Sequence, residues 1–260
     1  MCITQDPAGA IYVGILDDIL PGDRDAYVKR WNGSAWQQLG GRIGVNTNYD
    51  ATSLSLVTLS DGTVFAALTS TLSITLGEVW EWTGTDWDFP NGDTSQALVA
   101  QALGMSGIAI TSAPQGRAYV AYSIRKAGGT SQLVVQRLDR TGWSSLPDGP
   151  IRGGGTTGVL QPRAAVDASG NLIVTWQEMT LSHSNVYASF WDSAAYQWKS
   201  LGDALDVAAD NDASAPSIVL TAQGIPIVAW FESDPQQGQG GCTPDACGVH
   251  VKKLNSLKVQ

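Results

Sequence analysis

The chain has 260 residues, of which 43% are hydrophobic and 15% charged, so its composition excludes intrinsic disorder and is sufficient for a large core. The net charge of −9 excludes a nucleic-acid partner held mainly through its phosphates, and it disfavours docking on an anionic membrane. No run approaches the roughly 18 apolar residues of a membrane-spanning helix, so we expect no membrane insertion.

The chain contains an internal repeat of about 54 residues. Its marker is a Gly followed by an apolar, strand-like segment, and the copies begin at Gly9, Gly62, Gly116, Gly170 and Gly224. Both alternating sides of this segment are apolar, which predicts a strand buried on its two faces. Five positions after each Gly the residue is always small, which predicts close approach of a neighbouring sheet. These residues are Gly14, Ala67, Ala121, Thr175 and Ala229.

Three more strands are predicted in each copy. One precedes each Gly, at 2–4, 54–58, 107–111, 163–166 and 217–220. After the Gly segment come a strand, a tight polar turn and a short last strand, at 27–40, 79–87, 134–146 and 186–202. The fifth copy has its third strand at 249–254 and ends in a weaker segment at 256–260.

Four antiparallel strands repeated at this length predict an all-β protein, a β-propeller of five four-stranded blades. We expect one domain over 1–260, with blades at about 1–50, 51–101, 102–161, 162–214 and 215–260. The alternative is an array of β-sandwiches, which requires strands with one polar face. The five copies either close alone or form part of a larger propeller.

The last two strands of the first copy read Trp31-Asn-Gly-Ser-Ala-Trp36-Gln-Gln-Leu39-Gly40. This segment resembles the W-x-G-x-x-W-x-x-L-G blade endings of bacterial propeller lectins of the Photorhabdus type, and the five copies resemble the tachylectin-2 architecture. The resemblance implies the propeller fold and, less directly, sugar binding, because one propeller scaffold hosts many functions.

The loops between second and third strands are predicted to be long and to share one face with the loops between blades. Their predicted bounds are 16–26, 69–78, 123–132, 177–185 and 231–248. Where second strands enter these loops stand Asp17, Glu178 and Glu232. Such acids would accept sugar hydroxyls or bind calcium, and Glu178 with Glu232 would suit acid–base chemistry on a glycan. The alternative is solvated charge at strand ends.

Two tryptophans lie two residues before those acids. Trp176 and Trp230 would form a stacking platform for a sugar, or they pack between adjacent blades. Cys242 and Cys247 bracket a Pro-containing turn and form either a disulfide or two free thiols. The acid-rich segment 203–212 is explained by turn chemistry, and the two histidines, His183 and His250, lack metal-ligand spacing.

The sequence therefore predicts a non-enzymatic recognition propeller that binds carbohydrate, secreted or at the cell surface, without a cofactor apart from calcium. Its partner would be a glycan or a protein surface. Two alternatives stay open: a glycan-acting hydrolase with an acidic site on the long-loop face, and a protein-interaction scaffold. No nucleophile elbow or phosphate loop supports another enzyme class.

Overall fold

The computed structural model describes the strands and most of their connections. Its described residues are 1–20, 23–45, 48–72, 75–90, 105–113, 117–125, 129, 131–139, 142–147, 158–208, 211–233 and 247–254. They form five antiparallel sheets, one for each copy of the repeat. No helix among them is long and apolar enough to cross a membrane.

The strands are numbered in chain order. The first sheet contains β1 (Cys2–Gln5), β2 (Ile11–Leu20), β3 (Asp23–Trp31) and β4 (Trp36–Gln38). The second contains β5 (Asp50–Thr58), β6 (Val64–Thr71), β7 (Thr75–Trp82) and β8 (Trp87–Asp88). The third contains β9 (Met105–Ala113), β10 (Arg117–Arg125), β11 (Ser131–Asp139) and β12 (Gly142–Ser145). The fourth contains β13 (Gly158–Val166), β14 (Leu172–Met179), β15 (Ser184–Asp192) and β16 (Gln197–Ser200). The fifth contains β17 (Asp212–Leu220), β18 (Pro226–Ser233) and β19 (Cys247–Lys253).

These sheets are the blades of a five-bladed β-propeller, as the repeat predicts. Within each blade the strands pair in chain order, and the first strands of successive blades contact one another around the centre. The fifth blade has three strands among the described residues, and the fourth strand predicted at 256–260 lies outside them.

Close approach of neighbouring blades explains the small residue in each second strand. A Cβ atom added at Gly14 would lie 2.6 Å from the Cys2 sulfur and 2.7 Å from a methyl group of Leu54, which belongs to the next blade. The predicted close packing is therefore present between the first two blades.

The core lies between blades, in four apolar clusters. They join the first blade to the second, the second to the third, the third to the fourth and the fourth to the fifth. Trp176 and Trp230 belong to the last two of these clusters. Since these rings are buried against the preceding blade, inter-blade packing accounts for both of them.

The first strands of the later blades carry a β-bulge. The register of β13 against β14 shifts between Leu160 and Arg163, and Gln161 within it has a φ of 48°. The same feature in β17 gives Ala215 a φ of 50°, and this residue's N–H donates to Oε1 of Gln161 at 2.8 Å. A non-glycine residue in this left-handed region costs free energy.

In the first four blades the predicted long loops between second and third strands are mostly strand. β2 reaches Leu20 and β3 begins at Asp23, so most of the segment 16–26 is paired. The segments 69–78, 123–132 and 177–185 are likewise shortened from both sides. For these four segments the prediction was wrong, because polar residues in the strands extend the ladder. In the fifth predicted loop, 231–248, β18 ends at Ser233 and β19 begins at Cys247, and the residues between them lie outside the described part of the chain.

Candidate functional site

The structure buries four of the five side chains predicted to bind a ligand. Trp176, Glu178, Trp230 and Glu232 lie in the interior, whereas Asp17 is exposed on the first blade. Asp17 is therefore a solvated charge at a strand end, whereas the two glutamates are not. Direct ligand contact by these residues stays a prediction. Of the five side chains, Asp17 is the one that is exposed to solvent and so accessible to a ligand.

Each buried glutamate accepts a hydrogen bond from the tryptophan two residues before it. Trp176 Nε1 donates to Glu178 Oε1 at 2.8 Å, and Trp230 Nε1 donates to Glu232 Oε2 at 3.0 Å. Because residues i and i+2 of a strand share one face, the indole and the carboxylate lie side by side. The Trp-x-Glu pattern is thus a unit that satisfies a buried charge.

Glu232 holds the loop that connects the fourth blade to the fifth. It is 2% exposed, and its carboxylate accepts the backbone N–H groups of Val207 and Ala208 at 2.9 Å each. The Asn211 side chain donates to it at 3.0 Å. Burial alone would raise the pKa of Glu232, but these hydrogen bonds and that of Trp230 outweigh it, so the pKa lies below its usual value.

Asp206 stands beside this ionised carboxylate with the opposite shift. The Asp206 side chain is half-buried, and its Oδ1 is shielded from solvent with no hydrogen-bond partner among the described residues. Burial, and then the negative charge of Glu232, raise the pKa of Asp206 above its usual value. Two neighbouring carboxyl groups with displaced pKa values are typical of acid–base sites.

A third carboxylate and a histidine complete this region. Asp212, exposed at the start of β17, accepts the backbone N–H and the hydroxyl of Ser184 on Oδ1, at 2.8 and 3.2 Å. The preceding residue, His183, interacts electrostatically with Asp206. We call Asp206, Asp212, Glu232 and His183 the acidic cluster.

One more buried polar group faces the acidic cluster. The Asn185 side chain is 9% exposed and its Nδ2 lies 3.4 Å from His183 Nε2. Nδ2 also donates to Tyr187 Oη at 3.3 Å, whereas Asn185 Oδ1 is shielded from solvent and has no partner in the part of the chain that the structure describes. An unsatisfied buried acceptor beside His183 suits a ligand that supplies hydroxyl donors.

Few features of the sequence indicate the acidic cluster. Segment 203–212 is acid-rich, but turn chemistry accounts for its composition, and His183 lacks metal-ligand spacing. The buried Trp-x-Glu unit of the fifth blade was the usable signal, because its carboxylate must be covered by a neighbouring loop.

In the part of the chain that the structure describes, no group of three or more His, Cys, Asp or Glu side chains is arranged to hold a metal ion. Calcium binding stays a prediction. The predicted disulfide between Cys242 and Cys247 lies outside the residues whose side chains are described.

Comparison with known proteins identifies the fold. No family model and no curated protein sequence matches the chain. A Dyadobacter fermentans protein of unknown function matches with a TM-score of 0.62 at 10% identity, over 98% of this chain and 78% of that one. The Penicillium chrysogenum alpha-L-arabinanase matches with a TM-score of 0.61 at 18% identity, over 89% and 76%. A thermostable family-43 glycoside hydrolase matches with a TM-score of 0.54 at 10% identity, over 98% and 88%.

These comparisons correct the leading functional prediction. Other structures of the same fold are a polysaccharide lyase, a Bombyx mori beta-fructofuranosidase and a microbial sialidase. Most of the named neighbours are thus enzymes that cleave glycans, and a non-enzymatic lectin is the wrong conclusion. No family match supports the lectin-type repeat, so the resemblance is confirmed only for the propeller architecture.

Proposed function

We propose that the protein hydrolyses glycosidic bonds, with the acidic cluster as its active site. The observation that carries the proposal is the half-buried Asp206 carboxyl group, whose Oδ1 is shielded from solvent and whose pKa is raised by burial and then by the charge of Glu232. The named enzymes of the same fold act on arabinan, fructofuranosides, sialosides and other glycans, which supports a glycan as the substrate class.

Asp206 is the proton donor in this proposal. Glycoside hydrolysis requires one carboxylic acid that protonates the leaving oxygen and one carboxylate on the opposite side of the sugar. A raised pKa keeps a carboxyl group protonated at a higher pH, which is the property of the acid. Asp212 supplies the carboxylate, because Ser184 anchors Oδ1 while the residue remains exposed.

Glu232 is a positioning residue rather than the nucleophile. It is sealed from solvent, and its oxygens already accept hydrogen bonds from Val207, Ala208, Asn211 and Trp230. These bonds fix the loop that carries Asp206, and the charge of Glu232 contributes to the raised pKa of Asp206. Its replacement therefore acts on the proton donor indirectly.

The test is release of reducing ends from arabinan, levan and sialyllactose by the purified chain. Asp206→Asn and Asp212→Asn should each lower kcat by at least about a hundredfold, within the range that general acid–base catalysis contributes. Asp203→Asn, an exposed substitution in the same loop, is the matched control and should leave the rate unchanged. Hydrolysis that persists in Asp206→Asn would disprove this assignment.

A further inference from the structure

The two sides of a blade can be told apart from the position of a residue after the repeat Gly. In the first blade, Tyr12 and Gly14, three and five positions after Gly9, point to the second blade. In the second blade, Ala66 and Leu68, four and six positions after Gly62, pack in that same cluster and point back to the first. We call these the following face and the preceding face.

Following faces are buried in the second, third and fourth blades. Seven positions after the Gly stand Thr69, Ser123 and Gln177, and all three are buried. The equivalent residue of the fifth blade, Phe231, is 45% exposed. Its cross-strand partner Val249 is 65% exposed, so two large apolar side chains are uncovered side by side.

The rest of that face is uncovered as well. Val251, opposite Ala229, is 65% exposed, and Val219, opposite Ile227, is also exposed. An apolar surface therefore crosses all three described strands of the fifth blade, bordered by Ser217 opposite Ala229 and by Lys253 opposite Ile227. Large contiguous apolar surfaces of this kind mark interaction sites in soluble proteins.

The preceding face of the first blade is uncovered too. Val13 and Ile15 are half-buried, whereas the equivalent Val228 and Trp230 of the fifth blade are buried. Ile3, opposite Val13 in the ladder, is 69% exposed. A cavity of about 250 Å³ opens on this face, lined by Ile15, Asp17, Tyr27, Lys29 and Gln38.

In the described part of the chain, the fifth and first blades therefore do not seal against each other. Among the described residues four apolar clusters join successive blades, and none joins the fifth to the first. Asp17 illustrates the difference. It holds the repeat position of Glu232, which a loop from the preceding blade covers, but Asp17 is exposed.

We propose that two copies of this chain associate head to tail, with the following face of the fifth blade of one copy against the preceding face of the first blade of the other. Each of the four existing interfaces joins one following face to one preceding face. The two uncovered faces are a following face, on the fifth blade, and a preceding face, on the first blade. A second copy can therefore cover either face with its own face of the other kind. Such a contact is heterologous, since the two partners use different surfaces.

The test uses single-face variants of the whole chain. Sedimentation velocity over increasing concentration should show species heavier than the 27.4 kDa monomer. Phe231→Lys and Ile3→Lys should each weaken association by more than about tenfold, because each buries a charge in an apolar contact. Leu181→Lys, at a highly exposed turn of the fourth blade, is the matched control and should associate normally.

A mixture of the two variants gives the decisive result. Each variant retains the face that the other has lost, so an equimolar mixture of Phe231→Lys and Ile3→Lys should form a dimer that does not grow further. All three sites are exposed, so circular dichroism should show the fold unchanged. A chain that is monomeric at every concentration, or variants that fail to complement each other, would overturn the proposal.

Discussion

Replacing Glu232 by Gln should destabilise the protein strongly. The carboxylate accepts hydrogen bonds from the backbone of Val207 and Ala208 and from the side chains of Asn211 and Trp230. A hydrogen bond to a charged group contributes about 1–1.5 kcal/mol more than a neutral one, and the Gln amide also turns a donor toward donors. We expect a loss of about 3 kcal/mol in the free energy of unfolding. This is less than the summed difference for four hydrogen bonds, because the substitution also removes the cost of burying a charge.

Urea unfolding of wild type and Glu232→Gln measures this loss directly, and the melting temperature should fall by roughly 6–12 °C for a chain of this size. Asp203→Asn is the control and should change stability by less than about 0.5 kcal/mol. Because the folded pKa of Glu232 is lowered, its contribution is present above the unfolded pKa and is lost as the pH falls through the folded value. A loss below about 1 kcal/mol at pH 7 would refute the reasoning.

Three further predictions concern packing, backbone strain and reactivity. Gly14→Ala should lower the melting temperature, because the new methyl group overlaps Cys2 and Leu54, whereas Gly41→Ala, with no atom nearby, should not. Ala215→Gly should raise the free energy of unfolding by up to about 1 kcal/mol in urea, because Gly relieves a φ of 50°. Burial raises the pKa of the Cys2 thiol to about 11, so iodoacetamide at pH 8 should label Cys2 about a hundredfold more slowly than an exposed cysteine, as read by peptide mass spectrometry. Rapid labelling of Cys2 would show that the first blade opens.

The fold could be predicted from the sequence because each of the five copies of the repeat forms the same blade structure. Five aligned Gly residues fix the phase, and the small residue at Gly14 and its equivalents marks the packing distance between blades. Strand ends were less predictable. Polar residues at 16–26 resemble a loop, yet the ladder between β2 and β3 continues through most of them, because the partner strand and not the residue type decides pairing.

The candidate site was only partly predictable, because its properties arise between blades. The sequence identifies Glu232 as an acid at a strand end but not that a loop from the fourth blade covers it. The raised pKa of Asp206 depends on burial and then on the charge of Glu232, and neither is visible in segment 203–212. The partners of His183 in its own turn, Ser182 and Asn185, are local, but its interaction with Asp206 joins two segments that are distant in the chain.

The strand order of the blades also bears on biosynthesis. In each described sheet the neighbours along the ladder are neighbours along the chain, and no strand is exchanged between blades. A blade can therefore complete its hairpins soon after it leaves the ribosome, without waiting for distant sequence. Each new blade then has a finished surface to pack against, and we expect the protein to assemble vectorially from its first blade to its fifth.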